Sequence, residues 1–375
     1  MSAARAHLSA GRIGDDLDRL STLRARLGEA FAQAGAATVE PETLQPADVM
    51  LDLYGEDVRA RAYLLQDPVV GELCLRPDFT VPVARVHMSD GCDPARYAYH
   101  GLVWRRQEPG SDRPSEYLQA GFELIGGADP AADDAEVFTL IQNALGPVAQ
   151  KVITGDLSIL FAAIDALETT EARRAVLRRH VWRPKRFQDL LSRFVSPPTP
   201  SADRAALLAA DETRRKRMIS GAGRFVGMRS EAEILARANA LAEDAALPPL
   251  SVEQKAVIDA VIATTGPSGR ALTALRDLGL PAMSPALDRM EKRLASLEAY
   301  GVDAAALPFD AAFGRSLEYY DGFVFEFRGA DDALPPLGGG GRYDTLTTIL
   351  GQGEGSTAVG GMVRPEAMIA AGWTA

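Results

Sequence analysis

Strand-forming runs lie on both sides of a long stretch, residues 165–300, in which alanine, leucine and arginine recur at helical spacing. The stretch is interrupted at Ser196-Pro-Pro-Thr-Pro200 and Thr265-Gly-Pro-Ser-Gly269. It reads as an all-helical insertion of several helices, with the proline-rich segment as a loop. No internal repeat or heptad array is visible. Residues 1–164 then form the first part of a core and residues 301–375 the second. The expected fold class is α+β, an antiparallel sheet flanked by helices and split by the helical insertion.

Within the first part, Leu17, Leu20, Leu23, Leu27 and Phe31 form one stripe of a helix over 17–35, stopped by Gly35. Pro41 sits in an extended segment. Tyr63–Leu65 and Glu72–Leu75 read as strands joined by the turn 66–71, and a helix is expected over Thr80–His87. Tyr97–Arg106 and Glu116–Ile125 form a long hairpin around the polar loop 107–115, followed by a helix at Ala135–Leu145 and a strand at Lys151–Leu157. Strand character returns at Phe309–Phe313 and Phe323–Phe327, and a helix over Pro365–Ala371 comes last.

Composition sets bounds on function. A chain of 375 residues, 47% of them hydrophobic, can bury a full core, as one large domain with a smaller one inserted or appended. No run of 18 apolar residues exists, so no spanning helix and no membrane partner is expected. The N-terminal residues reach Asp15-Asp16-Leu-Asp18 without an apolar run, which speaks against a secretory signal. Cys74 and Cys92 cannot make a disulfide framework or a zinc site, and His7, His87, His100 and His180 show no ligand spacing. The expectations are a cytoplasmic protein with no metal and no cofactor. The net charge of −11 disfavours a long polyanion as partner, since nucleic-acid surfaces are matched by lysine and arginine.

Residues able to read a small polar ligand are grouped in a few segments. Arg315-Ser-Leu-Glu-Tyr-Tyr-Asp-Gly-Phe-Val-Phe-Glu326 sets a cation, the adjacent Tyr319 and Tyr320, and a carboxylate beside a strand. On the hairpin, Gln119 and Glu123 are four apart and point to one face, with Gly121 between them allowing close approach. Asp78 and Thr80 suit an ammonium group, although either could equally cap a helix. Gly338-Gly-Gly-Gly-Arg-Tyr-Asp344 would let backbone approach a ligand, or would be a plain turn. Arg364 follows a glycine-flanked strand, a place where a lone arginine is usually a surface charge.

Taken in order, these segments resemble the class II aminoacyl-tRNA synthetase core, specifically that of histidyl-tRNA synthetase. The match runs over Leu17–Leu157 and Leu307–Arg364. The region around Pro41 looks like the first class motif, which packs a dimer interface. Trp104 to Glu123 looks like the second, Gly360–Arg364 like the third, and Arg315–Glu326 like the histidine-binding signature. The resemblance implies that Asp78, Thr80 and Gln119 hold an α-amino group. It also implies that Glu123 and Tyr320 grip an imidazole, and that Arg113 and Arg315 pair with a carboxylate or phosphate.

Departures fall on the nucleotide side of that pattern. Gln107 stands where the second motif has glutamate, Ser115 where a further arginine is expected, and Val363 where a glutamate precedes Arg364. Arg105, Gln107 and Arg364 would then mark a vestigial nucleotide site. Only eleven residues follow Arg364, whereas the synthetase continues for about 100 more to grip the anticodon. A tRNA substrate is therefore not expected.

A histidine reader of this kind resembles the regulatory subunits of ATP phosphoribosyltransferase. That family implies a non-catalytic protein with no catalytic residues of its own. It activates a short-form catalytic subunit, carries L-histidine feedback on the first step of histidine biosynthesis, and forms a homodimer within a hetero-oligomer, a hetero-octamer. The alternative is a histidine-adenylating enzyme that does not charge tRNA. The arginines Arg173, Arg174, Arg178, Arg179 and Arg183 of the insertion are either a docking face or a solvated helix surface.

Overall fold

The computed structural model describes residues 11–108, 111, 113–223, 226–314 and 318–374. The chain divides into two compact units, 1–166 with 257–375, and 167–256.

The first unit begins with α1 (Asp15–Gln33), β1 (Ala37–Thr38), β2 (Leu44–Pro46), α2 (Ala47–Arg61), β3 (Leu64–Asp67) and β4 (Gly71–Leu75). It continues with α3 (Thr80–Asp90), β5 (Ala95–Trp104), β6 (Glu116–Ile125), α4 (Pro130–Leu145), β7 (Lys151–Asp156) and α5 (Leu157–Asp165). The second unit holds α6 (Glu171–Arg179), α7 (Pro184–Val195), α8 (Ala202–Ala209), α9 (Glu212–Ser220) and α10 (Glu231–Ala246). Helix α11 (Val252–Ala263) leads back to the first unit. There follow β8 (Thr265–Pro267), α12 (Ser268–Asp277), α13 (Ser284–Ala299), β9 (Pro308–Asp310), β10 (Phe323–Arg328), β11 (Gly338–Arg342), α14 (Asp344–Leu350), β12 (Ala358–Val363) and α15 (Pro365–Ala370).

The fold is α+β, as expected. Nine strands form one sheet in the order β1-β5-β6-β12-β11-β10-β7-β9-β8, and β2-β4-β3 form a small second sheet. The large sheet is antiparallel except at β1–β5 and β7–β9. The helical stretch 165–300 is divided differently from its reading in sequence. The second unit ends at 256, and 257–300 belong to the first. Thr265-Gly-Pro267 pairs with β9 and extends the sheet, so what reads as a break between helices is an edge strand. The strand expected at Phe309–Phe313 is shorter, because the Phe313 amide turns back to donate to the Asp310 carbonyl at 3.0 Å.

The period-two pattern of the strands sets the two faces of the sheet. Phe323, Phe325 and Phe327 lie on one face of β10, all within 6.1 Å of the Phe138 ring of α4 by centroid. Phe122 and Leu124 of β6 and Val359 and Val363 of β12 are buried in the same core with Leu23, Leu27 and Phe31 of α1.

The four glycines from 338 are neither a loop nor a turn. They form β11, an interior strand between β10 and β12. Side chains would not fit there: one at Gly340 would run into the Gly360 carbonyl, and one at Gly341 would meet the Phe323 carbonyl at 2.7 Å.

Buried charge ties the helices to the sheet. Asp134 of α4 accepts from Arg342 Nε at 2.8 Å and from Arg293 Nη1 of α13 at 3.1 Å. Arg293 also donates to Asp156 at 2.9 Å, and Arg342 to the Pro130 carbonyl at 2.8 Å. All four charged groups are buried. Arg342→Ala is expected to cost about 3–5 kcal/mol in denaturant unfolding, because it leaves the buried Asp134 carboxylate with only one of its two cations. Arg276→Ala, which removes the exposed pairs with Asp288 and Glu291, should cost less than about 1 kcal/mol in the same measurement.

Candidate functional site

On the face of the sheet opposite the phenylalanines, the same alternation aligns Gln119, Gly121 and Glu123 of β6 with Met362 and Gly360 of β12. A cavity of about 50 Å3 opens there. Asp78 and Thr80 at the start of α3, Tyr99 of β5, Gln119 of β6, and Tyr319 and Tyr320 ahead of β10 line it. Arg105 and Arg364 complete the wall, and Gly339, Gly360 and Gly361 contribute backbone.

Glu123 is fully buried just behind this cavity and accepts from three hydroxyls. Thr80 Oγ1 lies at 3.0 Å and Tyr99 Oη at 3.3 Å from Oε1, and Tyr343 Oη at 2.7 Å from Oε2. Burial outweighs these three bonds, all of which favour the carboxylate, and pushes the Glu123 pKa up to about 8, with Asp78 adding to the rise. Gly360 makes room for this carboxylate, since a Cβ at that position would run into Glu123 Oε2.

Asp78 Oδ2 lies 3.5 Å from both Tyr319 Oη and Arg105 Nη2. Arg105 Nε donates to the Pro77 carbonyl at 2.8 Å, and Arg364 Nη1 to the Pro336 carbonyl at 2.6 Å. Helix α3 has Phe79 as its N-cap, with no side-chain cap bond; Thr80 spends its hydroxyl proton on Glu123 instead. Gln119 is 1% exposed, and its Oε1 has no hydrogen-bond partner among the described residues. A buried amide oxygen left without a donor costs about 1–3 kcal/mol, unless a ligand supplies one.

The arrangement suits a zwitterion. Asp78, Thr80 and the Gln119 oxygen can accept from an ammonium group, while Arg105 and Arg364 can donate to an anionic group. The stacked Phe79 and Tyr99 rings, with centroids 4.4 Å apart, hold one aromatic wall firm.

Of the residues expected at the site, Asp78, Thr80, Gln119, Tyr319, Tyr320, Arg105 and Arg364 meet at this cavity. Arg315 lies outside the described residues. Arg113 is exposed and does not line the cavity. Neither does Gln107, whose amide donates to the Arg105 and Pro114 carbonyls at 3.1 Å each and so bridges the two sides of the hairpin loop. Glu123 lies one layer back. Gly121 does not open space for a ligand, because Tyr99 fills the place of its missing side chain.

Tyr99 and Tyr343 were not expected at the site. Tyr99 has a signal of a kind, since strand register sets it opposite Gly121. Tyr343 lies in the glycine segment 338–344, but nothing in the sequence joins it to Glu123, 220 residues away.

A family model described as histidyl-tRNA synthetase matches residues 13–247 and 230–368. An ATP phosphoribosyltransferase regulatory subunit of Mesorhizobium japonicum is 35% identical over 361 residues, covering 91% of this chain and 95% of the relative. Its counterpart in Rhizobium meliloti is 34% identical, with 97% of each covered. Among solved structures, an ATP phosphoribosyltransferase regulatory subunit/histidyl-tRNA synthetase from Bacillus halodurans aligns with a TM-score of 0.67 at 23% identity, covering 97% of this chain and 81% of that one. A histidine–tRNA ligase subunit from Alicyclobacillus acidocaldarius gives 0.60 at 22% identity, covering 97% and 95%. These two establish the likeness of fold.

The raised Glu123 pKa has a definite sign. Between the ordinary carboxylate value and about 8, the folded chain keeps a proton that the unfolded chain has lost. This contribution to stability therefore falls as pH rises through that window, with a slope of at most about 1.4 kcal/mol per pH unit. Glu123→Gln, which is neutral at every pH, should flatten the dependence when unfolding is measured from pH 5 to 9. An unchanged pH profile would show that Glu123 is ionised throughout.

Proposed function

The chain belongs to the family of ATP phosphoribosyltransferase regulatory subunits, and from that membership we propose that it activates a short-form catalytic subunit and carries histidine feedback to it. In this reading the chain performs no chemistry of its own. The partner catalyses the first step of histidine biosynthesis, and histidine shifts the complex between states by its differing affinity for them.

The observation that carries the histidine part is the unpartnered Gln119 oxygen beside Asp78 and Thr80. These groups would take the α-amino group of histidine, Arg105 or Arg364 its carboxylate, and Tyr320 one imidazole nitrogen. Glu123 would act by fixing the hydroxyls of Thr80 and Tyr99, rather than by touching the ring as the family pattern implies. A homodimer within a hetero-octamer and a cytoplasmic location, where the unpaired Cys74 and Cys92 stay reduced, belong to the same reading. The net charge of −11 and the bridging role of Gln107 support a protein that does not charge tRNA.

Arg105 and Arg364 at the cavity support a second reading, in which histidine is adenylated without transfer to tRNA. Histidine-dependent exchange of pyrophosphate into ATP separates the two. The regulatory reading expects none at high protein concentration.

Titrating the purified chain into a short-form catalytic subunit should raise its activity to a plateau; no activation over the full titration would sink the proposal. By calorimetry, Gln119→Ala and Asp78→Asn should each weaken histidine binding roughly tenfold or more, the loss of one bond to a charged group. If both variants bind as tightly as the parent chain, the ligand lies elsewhere.

A further inference from the structure

The unit 167–256 contains a cavity of about 780 Å3, lined wholly by its own residues between 172 and 247. Each of four helices turns one face to it at the spacing of helical neighbours. Val176 and Arg179 come from α6, and Arg186, Leu190 and Arg193 from α7. Arg204 and Leu208 come from α8, and Arg237 and Leu241 from α10.

Several arginines elsewhere in this unit find partners, though the side chains of Arg214 and Arg217 on α9 make none among the described residues. Arg174 and Arg178 pair with Glu171 at 3.0 and 2.6 Å, and Arg215 donates to Asn239 at 2.8 Å. Arg173, buried at the cavity, takes Asp244 at 2.6 Å and stacks on Phe194. By contrast, the side chains of Arg179, Arg186, Arg193, Arg204 and Arg237 make no ion pair or hydrogen bond among the described residues. Asp244 is the one carboxylate among the described residues that line the cavity, and Arg173 already holds it.

A chain of net charge −11 thus gathers five uncommitted guanidinium groups around one concave site. Their mutual repulsion is relieved by an anion that several can grip at once, and the guanidinium fork matches phosphate oxygens two at a time. Leu190, Phe194, Pro197, Pro198 and Leu208 add an apolar wall with one aromatic face. The volume lies within the range of small-molecule sites, roughly 300–1,000 Å3.

From these features we propose that this cavity binds a small anion carrying two or more phosphate groups on an apolar, planar body, the class of the nucleoside polyphosphates. The phosphates sit among the arginines and the planar group lies against Phe194 and the prolines. The acidic balance of the whole chain disfavours a long nucleic acid in the same place.

The test uses the full chain with ATP and inorganic tripolyphosphate as probes, in calorimetric titrations at low and high salt. ATP should bind saturably at one site per chain, more tightly than tripolyphosphate, and more weakly as salt rises. Arg186→Glu with Arg193→Glu should weaken ATP binding at least roughly tenfold, and so should Arg237→Glu on a different helix. Arg174→Glu, outside the cavity, should leave it unchanged. Thermal melting of each variant checks that it is folded, and the exposed positions of Arg186, Arg193 and Arg237 make a folded cavity variant the expected result. Absence of saturable ATP binding, or binding that survives both cavity variants, would overturn the assignment. Tripolyphosphate binding as tightly as ATP would overturn the planar part of it. Displacement of ATP by an equimolar single-stranded oligonucleotide would reassign the site to nucleic acid.

Discussion

The carboxylate of Asp134, fully buried on α4, is the point through which the larger unit is held together. It accepts from Arg342 at the end of the glycine strand and from Arg293 on α13, and Arg293 reaches on to Asp156 at the end of β7. Two helices and two strands distant in sequence are thereby fixed to one another by directional bonds. Such a network gives less net stability than an apolar core of equal volume, but it tolerates no misplacement, since any shift leaves a charge unpaired in a low dielectric. The phenylalanines of β10 pack beside it, with Arg293 4.2 Å from the centre of the Phe323 ring.

With α4 held in this way, the two faces of the sheet take different tasks. One is filled by Phe122, Phe138 and the alternate phenylalanines of β10. The other is kept nearly free of side chains by glycines of β11 and β12, and into that space come a buried glutamate, its three hydroxyl donors and the cavity they border. Glu123 illustrates the energetic balance of a site built on a sheet. Burial raises its pKa while Tyr343, Thr80 and Tyr99 lower it, and the outcome lies near neutrality.

Much of this was legible in the residues. The alternation of Phe323, Phe325 and Phe327 specifies a strand with one apolar face, and the spacing of Gln119 and Glu123 specifies a shared polar face. Asp78, Thr80, Gln119, Tyr319 and Tyr320 were singled out from local pattern and family likeness, and they do line one cavity. The errors have physical causes. A run of four glycines has no pattern of its own, so its role as an interior strand appears only from the backbones on either side of it. In sequence Gly121 reads as room for a ligand, but the room is taken by Tyr99 from the neighbouring strand. Among the arginines of the helical unit, the pairs of Arg174 and Arg178 with Glu171 follow the spacing of one helix, whereas the Asp244 partner of Arg173 is placed only by the packing of α10 against α6.

The sequence by itself determined the fold class, the strand faces and, with the family resemblance, most of a polar set that lines one cavity, since periodicity and side-chain chemistry are local properties. Tertiary structure alone decided that Glu123 stands behind the cavity rather than in it, that Tyr343 joins it from 220 residues away, and that Gln119 keeps an oxygen without a partner among the described residues. It also decided which six arginines of the smaller unit line one cavity, and that among the described residues only Arg173 of these has a partner there. Burial, pairing and the pKa shifts that follow from them depend on what other segments bring to the same place, and that information resides in no single stretch of chain.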